Sequence, residues 1–438
     1  MSDAPPPRLD LDAADGPRRR DGRAPLPAAF WYLWTGTLIN RIGGLVIPFL
    51  TLFLTGRRGL SVSQATLVIA LWGGAQLAGS VAGGHAADRI GRRATLLVSL
   101  LGGAAVMVII PFLRGYLPLA GAVAAVGFMG GLYRPAVGAA VADLVPEPHR
   151  AHAYALIYWA TNLGFAIAPV MAGLLAERWF TGLFVVDAAT SAAFGLLAFA
   201  RVPETRPLPE VATSPGVPVV ATARDRSGWH HALADPALML FAAGTFLTNA
   251  VALQAFTTLP LAMRAHGLSP RDFGLVIATN GVLIVLLILP AGRQLARLPA
   301  ATVLAAGALL NGVGFGLVAL VTTRVGYAAT VLVWTLGEIV MVPTAGALTA
   351  RLAPIRLRGT YQGVVHGAGA AAALVGPLAG GVLLQRAGEP VLWATCLGVG
   401  VAAGAGFAGL SWIRDRAPGD VLPYLAGQSA TPTRMDPP

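Results

Sequence analysis

Long apolar segments recur along the chain and are separated by short polar ones. Twelve segments are nearly free of charge, and each is long enough to supply the roughly 20 apolar residues that cross a bilayer core. They span residues 27–55, 62–86, 94–113, 116–142, 153–176, 179–200, 237–262, 273–292, 299–323, 325–350, 360–385 and 390–413. Only 12% of the residues are charged, about half the share of a soluble protein. The pattern predicts an all-α polytopic membrane protein with twelve transmembrane helices.

The distribution of Arg predicts the orientation of these helices. All 31 basic residues are Arg. If the N-terminus is cytoplasmic, the tails and loops on that side hold 21 of them, the opposite loops hold eight, and two lie inside predicted spans. Membrane proteins carry such an excess on the cytoplasmic side. We therefore predict a multi-pass protein of the cell inner (plasma) membrane, with both termini cytoplasmic, Arg in contact with anionic lipids, and no nucleic acid bound.

Motifs of catalysis and of ATP use are absent from the sequence. It contains no HExxH, GxSxG or Walker pattern, so neither an enzyme nor an ATP-driven pump is indicated. Cys396 is the single cysteine, which excludes an internal disulfide and a cysteine-based metal site. We predict a protein that is not an enzyme and that holds neither a metal nor a cofactor.

The sequence matches itself at an offset of 208 residues. The triplet GLS at 59–61 falls on GLS at 267–269, and rarer residues hold the same register, with Pro135, Arg150, Pro169 and Gly173 falling on Pro343, Arg358, Pro377 and Gly381. We predict two six-helix halves, residues 26–200 and 237–416. A cytoplasmic linker at 201–236 joins them, and disordered tails lie at 1–25 and 417–438. Six helices return the chain to its starting side, so the halves are parallel and suited to alternating access.

The loop between the second and third spans, GGHAADRIGRRA at 83–94, resembles a signature of the major facilitator superfamily, G-x-x-x-D-R-x-G-R-R/K. The matching residues are Gly84, Asp88, Arg89, Gly91, Arg92 and Arg93. Glycine permits a tight turn, and Asp88 is able to pair with Arg or to cap a neighbouring helix. The resemblance implies the major facilitator fold, in which this loop is a gate latch rather than a substrate site.

Two further segments resemble signatures of the same superfamily. LYRPAVGAAVA at 132–142 is similar to its fourth-helix Arg signature. GFAIAPVMAG at 164–173 is similar to the fifth-helix signature of its antiporters, with Ala in place of two glycines, and GPLAGG at 376–381 repeats the pattern. The candidate helix-bending residues are Pro169, Gly173, Pro377 and Gly381. The pattern has two interpretations, namely antiport or close helix packing whatever the direction of transport.

Four charged residues lie well inside predicted spans: Arg41, Arg134, Asp187 and Glu338. Each costs about 3 kcal/mol at a helix centre, so a paired or functional placement is expected. In the superfamily helices 1, 4, 7 and 10 line the cavity, and three of these charges lie on helices 1, 4 and 10. We expect Asp187, on helix 6 beside Thr190 and Ser191, to have a structural hydrogen-bonding role.

Glu338 is the predicted proton carrier or counter-charge of the substrate. An apolar pocket favours a neutral carboxyl, whereas a nearby Arg favours the ionised form, so a movement relative to Arg41 would bind and release a proton. Arg41, its neighbour Asn40 and Arg134 are the predicted modulators. The alternative is a permanent buried ion pair between the halves. Candidate cavity-lining residues, whose aromatic and amide groups suit amphipathic or cationic molecules, are Tyr133, Trp334, Asn249, Gln254, Tyr158 and Asn162.

The segment TLGEIVMVPTAGALTARLAP at 335–354 resembles the tenth helix of proton-coupled oligopeptide transporters, in which the Glu receives the peptide amino group. Those transporters carry E-x-x-E-R on helix 1, and this chain keeps only Arg41 of that motif. The leading prediction is therefore a monomeric transporter that exports small amphipathic compounds or drugs, driven by the proton gradient. Proton-coupled uptake of peptide-like solutes is the alternative, followed by a membrane sensor that transports nothing.

Overall fold

The computed structural model describes residues 26–205, 226–295, 298–354 and 357–416. These residues form helices joined by short turns, and no strand occurs among them. The predicted tails at 1–25 and 417–438 lie outside the described residues, as do residues 206–225 of the predicted linker. The part of the linker that is described contains a short helix just before the second half begins.

Fifteen α-helices follow one another along the described chain. Their bounds are α1 Ala28–Ile42, α2 Val46–Leu52, α3 Val62–Ile90, α4 Arg92–Ile109, α5 Tyr116–Leu144, α6 Glu147–Arg178, α7 Phe180–Arg201, α8 Arg226–Ala234, α9 Pro236–Ala252, α10 Gln254–Thr257, α11 Leu259–Ala265, α12 Pro270–Leu295, α13 Ala300–Gly316, α14 Arg324–Leu352 and α15 Arg358–Arg416. A π-helical turn, Phe53–Arg57, continues α2.

Eleven helical segments of the described chain are long and apolar enough to cross a membrane. The last of them, Thr360–Leu410, has 51 residues, which is about twice the length that one crossing needs. It is divided at Gly388, where a φ of 81° interrupts the helix. Because α15 thus supplies two spans, the described residues confirm an all-α protein with twelve spans. Which side of the membrane the termini face stays a prediction.

The first span of each half is interrupted at the same point of the repeat. α1 ends at Ile42 and α2 begins at Val46, and 208 residues further on α10 begins at Gln254. In the first half, Asp187 of α7 accepts a hydrogen bond of 3.3 Å from the Val46 N–H at the start of α2. This is the hydrogen-bonding role predicted for Asp187. It stabilises a break because the first N–H groups of a helix have no partner within the helix.

In the second half Gln254 stabilises the break. Its amide nitrogen donates to the carbonyl oxygens of Gly376 at 2.9 Å and Ala250 at 3.0 Å. Its amide oxygen accepts from the hydroxyls of Thr257 and Thr258 at 3.1 and 3.0 Å. The predicted spans at 27–55 and 237–262 are therefore broken helices, because polar side chains satisfy the backbone groups that a break exposes.

The two halves pack against each other at the end of the bundle away from the termini. There α3 contacts α15, and α6 contacts α12. A Cβ on Gly73 would lie 2.9 Å from the carbonyl oxygen of Ala373, and one on Gly274 would overlap the carbonyl oxygen of Pro169. The Ser63 N–H also donates to the side-chain oxygen of Gln385 at 3.1 Å. The halves are thus in direct contact at this end, which is called the closed end of the bundle.

The opposite end of the bundle, where the described chain begins and ends, has free space at three glycines. Gly138 in α5 and its repeat partner Gly346 in α14 have no atom within 4 Å of where a Cβ would stand, and the same holds for Gly367 in α15. None of these three glycines is needed for close contact between the halves, unlike Gly73 and Gly274.

The loop between α3 and α4 is organised around a buried Arg. Arg92 is 7% exposed, and its Nε lies 2.8 Å from Asp143 Oδ2. Its Nη1 lies 3.3 Å from Asp88 Oδ1 and donates to the carbonyl oxygen of Ala87 at 3.0 Å. Asp88 therefore pairs with Arg, and a different carboxylate caps the next helix.

That carboxylate belongs to Glu204, at the start of the linker, which the sequence analysis did not single out. It accepts hydrogen bonds from the N–H groups of Arg92 at 2.7 Å and Ala94 at 3.2 Å, in the first turn of α4. Gly91, with a φ of 104°, allows this approach because a Cβ would collide with the carboxylate. The linker is thereby fixed to the predicted latch.

Glu204→Ala is expected to destabilise the fold by about 1 kcal/mol, because it removes the cap of α4 and leaves N–H groups without a partner. Thermal unfolding of the purified protein in detergent measures the effect as a lower Tm. Glu177→Ala, at the exposed end of α6, is the control and should leave Tm unchanged. Equal Tm values for the two variants would contradict a capping role.

Candidate functional site

Two cavities inside the bundle contain the intramembrane charges. The arginine cavity, of about 160 Å³, lies within the first half and is lined by Arg41, Arg134 and Asp187. The Glu338 cavity, of about 200 Å³, lies between α9, α10, α12 and α14 of the second half and α6 of the first. Helices 1, 4, 7 and 10 of the twelve spans all contribute, as the family resemblance implied.

Glu338 reaches its cavity from the middle of α14. The preceding residue, Gly337, packs against α13, where a Cβ would lie 2.6 Å from the carbonyl oxygen of Gly307. This close approach turns Glu338 toward α12, where its Oε2 accepts a hydrogen bond of 2.8 Å from Asn280 Nδ2. Asn280 is 3% exposed and also donates to the hydroxyl of Thr335 at 3.0 Å.

The remaining walls of the Glu338 cavity are mostly apolar, and they come from both halves. Phe165 and Asn162 of α6 face Phe256 and Trp334 of the second half. Among the described residues, ion pairs within 4.0 Å are formed by Arg92 and Arg324, and none includes Glu338. The carboxyl group is thus held by an amide, in an apolar setting, without a neutralising cation.

The arginine cavity gathers two cations around one carboxylate. The Arg41 guanidinium lies over the ring of Tyr133, 5.3 Å from its centroid, and Tyr133 hydrogen-bonds Thr37 at 3.0 Å. Arg41 and Arg134 are like charges that line the same cavity. Asp187, which is 7% exposed, lines it from the wall formed by α7. Asn40 donates to Ser191 at 2.8 Å and so joins α1 to α7.

The two cavities occupy equivalent places in the two halves. At the offset of 208 residues, six lining residues of the arginine cavity fall on six of the Glu338 cavity. Gly44, Ile47, Trp72, Gln76, Val126 and Gly130 correspond to Ala252, Ala255, Asn280, Ile284, Trp334 and Glu338. The duplicated fold therefore forms the same pocket twice, with basic lining in one half and an acidic group in the other.

The structure does not bring Glu338 together with its predicted partners. Arg41 and Arg134 lie in the arginine cavity and Glu338 in the other. A permanent ion pair between the halves is therefore wrong for this state. The physical reason is the rotation of the helices, which turns α14 toward α12 while α1 and α5 face the interior of the first half. The predicted movement of Glu338 relative to Arg41 stays a prediction.

Three of the six predicted cavity-lining residues do line a cavity. Tyr133 faces the arginine cavity, together with Asn40, and Trp334 and Asn162 face the Glu338 cavity. Tyr158 is 44% exposed, and its carbonyl oxygen accepts a hydrogen bond of 2.8 Å from Asn162 Nδ2, but Tyr158 lines neither cavity.

Two residues that were predicted to line the cavity lie elsewhere in the structure. Gln254 is 3% exposed, and its amide is committed to the break before α10, so a role in lining the cavity is wrong for this state. Asn249, the repeat partner of Arg41, is exposed and donates to the carbonyl oxygen of Thr245 at 2.8 Å, within its own helix. Neither lines the Glu338 cavity.

The predicted helix-bending residues lie at the closed end of the bundle. Pro169 and Pro377 are inside α6 and α15. Gly173 packs against the backbone of α12. Its repeat partner Gly381 packs against Thr66 of α3. Both glycines thus permit close contact between the halves, which supports the packing interpretation of this motif.

Asn280, the hydrogen-bond partner of Glu338, is a site residue that was not predicted from the sequence. Asn280 lies 58 residues from Glu338 in the sequence, on a different helix. One signal was available, because Asn280 is a strongly polar residue inside an otherwise apolar predicted span. Gln76, which lines the arginine cavity, carried the same signal in the second span.

Sequence comparison finds bacterial transporters similar to this chain. The uncharacterized MFS-type transporter YttB of Bacillus subtilis (strain 168) is 26% identical over 368 residues, which are 83% of this chain and 90% of the relative. A Na(+), Li(+), K(+)/H(+) antiporter of Planococcus maritimus is 23% identical, over 72% of this chain and 80% of the relative. The multidrug resistance protein MdtH of Aeromonas salmonicida (strain A449) is 24% identical, over 85% and 92%.

Structural comparison finds the same fold in solved transporters. A POT family transporter in complex with a thioalcohol-conjugated peptide superposes with a TM-score of 0.72 at 15% identity, over 88% of this chain and 96% of that one. The POT family transporter PepTSo superposes with a TM-score of 0.72 at 15% identity, over 90% of this chain and 100% of that one.

The family profile agrees with the architecture of twelve spans in two repeated halves. The profile of the Major Facilitator Superfamily matches residues 33–269 and 244–434, which together include both halves. With similar bacterial transporters over most of its length, the protein is a multi-pass transporter of the plasma membrane. The chain belongs to the Major Facilitator Superfamily.

Proposed function

We propose that this protein exports small amphipathic compounds in exchange for protons. The observation that carries the proposal is the setting of Glu338, a carboxyl group in a cavity formed by both halves and without a cationic partner among the described residues. An ionised carboxylate there costs several kcal/mol. A proton or a cationic substrate neutralises it, and these two ligands therefore compete for one site. Such competition couples export to proton entry.

The residues that line the Glu338 cavity support small amphipathic compounds as the substrate class. Phe165, Phe256 and Trp334 offer aromatic faces, and the amides of Asn162 and Asn280 offer hydrogen bonds. Apolar walls with a few polar groups suit amphipathic molecules, and aromatic faces attract cations. Two relatives have names that fit this chemistry, one as an antiporter of metal cations and protons and one as a multidrug resistance protein.

Proton-coupled uptake of peptide-like solutes is the second candidate. It is favoured by the opposite charge of the two cavities, since Arg41 and Arg134 suit a carboxylate while Glu338 suits an amine. The sequence lacks the carboxylates that oligopeptide transporters carry before this Arg, which places export first.

Transport in proteoliposomes with an imposed pH gradient distinguishes the candidates. Purified protein is tested against a lipophilic cation and a panel of dipeptides. We expect the cation to accumulate in vesicles that are acidic inside. Dipeptide uptake driven by external acid would instead support the second candidate. Binding of the cation without movement across the membrane would overturn transport and favour a sensor.

A further inference from the structure

Asp187 lies beside the break in the first span, between the end of α1 and the start of α2. Its carboxylate accepts from the Val46 N–H, where α2 begins. It also lines the same cavity as Arg41, the residue before the last one of α1. The same α7 surface holds the break itself, since Gly43 packs against Thr190 so closely that a Cβ would overlap the hydroxyl. One buried carboxyl group therefore lies near the charged end of α1 and hydrogen-bonds the start of α2.

The second half shows that such a break does not require an ionisable group. There the neutral amide of Gln254, at the repeat position of Val46, satisfies the backbone and hydroxyl groups around the break. Burying a carboxylate is more expensive than burying an amide that makes the same hydrogen bonds. A carboxyl group in the first half thus implies a role that an amide does not fill.

The charged and titratable groups around Asp187 are few. Arg41 faces it from α1, and Tyr133 and Arg134 face the same cavity from α5. α4 contributes Ser99 and apolar residues to this cavity but no titratable group. Among the described residues Asp187 forms no ion pair within 4.0 Å. Arg134, which lines the same cavity, is solvent-exposed.

We propose that Asp187 is a second proton-binding group of the transport cycle, and that the bend of the first span controls its protonation. The inference rests on the proposed proton-coupled transport. When Arg41 lies near, the ionised carboxylate is stabilised and caps α2. A change of the angle between α1 and α2 moves Arg41 away, and the carboxylate then takes a proton from cavity water while one oxygen still accepts from Val46. By linkage, proton binding in turn favours the changed angle.

Asp187→Asn tests this inference because the amide oxygen still accepts from the Val46 N–H but binds no proton. In proteoliposomes, the pH gradient that balances a known substrate gradient gives the number of protons exchanged per substrate. We expect the variant to exchange one proton fewer than the wild type. Glu177→Gln is the control, since it removes an exposed carboxyl group at the end of α6 that lines neither cavity. An unchanged proton number in Asp187→Asn, or an equal loss in Glu177→Gln, would overturn the inference.

A second measurement separates this inference from the proposed function. Infrared difference spectroscopy of the purified protein across a pH titration detects protonated carboxyl groups without any transport. We expect one pH-sensitive carboxyl band to disappear in Asp187→Asn and to persist in Glu338→Gln. Identical spectra for Asp187→Asn and wild type would refute proton binding by Asp187. If Asp187→Asn removes a band but the wild-type protein shows no transport driven by a pH gradient, the proposed proton-coupled transport is refuted and proton binding by Asp187 stands.

Discussion

Glu338→Gln is expected to reduce transport driven by a pH gradient by about 100-fold or more, because the variant has no group that binds the proton at this site. The fold should persist. Glutamine has nearly the same shape, and its amide oxygen still accepts from Asn280 Nδ2, which now lies 2.8 Å from the carboxylate. The measurement is the initial rate of lipophilic cation accumulation in vesicles that are acidic inside, compared with wild type at equal protein content.

Two further measurements separate a loss of proton coupling in Glu338→Gln from a loss of folded protein. Thermal unfolding in detergent should show a Tm no lower than that of wild type, since the substitution removes a buried charge that had no cation beside it. Glu177→Gln, at the exposed end of α6, should transport normally. Proton-driven accumulation at the wild-type rate in Glu338→Gln would assign the coupling to another residue.

Gly274→Ala is expected to disrupt the closed end of the bundle and to reduce transport by about 10-fold or more. A single methyl group suffices because the position that a Cβ would take overlaps the carbonyl oxygen of Pro169, and backbone atoms do not move aside as a flexible side chain does. The strain is present only while α6 and α12 are in contact. The variant should therefore favour conformations in which this end is open.

Spin labels measure this shift directly. In a Cys396→Ala background, a label near the start of α12 and another near the end of α6 report the separation of the halves at the closed end. We expect a longer mean distance in Gly274→Ala. Gly346→Ala is the matched control, because no atom lies within 4 Å of its Cβ position. A distance distribution equal to that of wild type would show that the contact adapts to the methyl group.

The architecture could be predicted from the sequence because two patterns, the twelve apolar segments and the repeat at an offset of 208 residues, each extend over many residues. A local break in a helix changes neither pattern. The positions of Glu338 in a cavity, and of Tyr133 and Trp334 on cavity walls, also agreed with expectation. Partners were harder to predict, since they depend on helix rotation. A turn of α14 decides whether Glu338 meets Arg41 or Asn280, and a pattern of apolar residues all around a helix leaves that turn undetermined.

Breaks and caps were missed for a different reason. The interruption before Val46 depends on Asp187, which lies 141 residues away, and the cap of α4 depends on Glu204, about 110 residues away. Local propensity gives no sign of either. The nearby glycines at 43, 44 and 91 were the available hints, because they permit a break and a close approach but do not identify the group that approaches.

The equivalence of the two cavities concerns how a transporter with a duplicated fold gains or loses a proton-binding group. A duplicated scaffold provides two copies of one pocket, and a glycine and a tryptophan in one copy stand where the other has Glu338 and Asn280. The acidic group and its amide partner thus stand at positions where the other half has neither. If Glu338 binds the coupled proton as proposed, the duplicated framework accommodates a coupling group in one half without requiring it in the other.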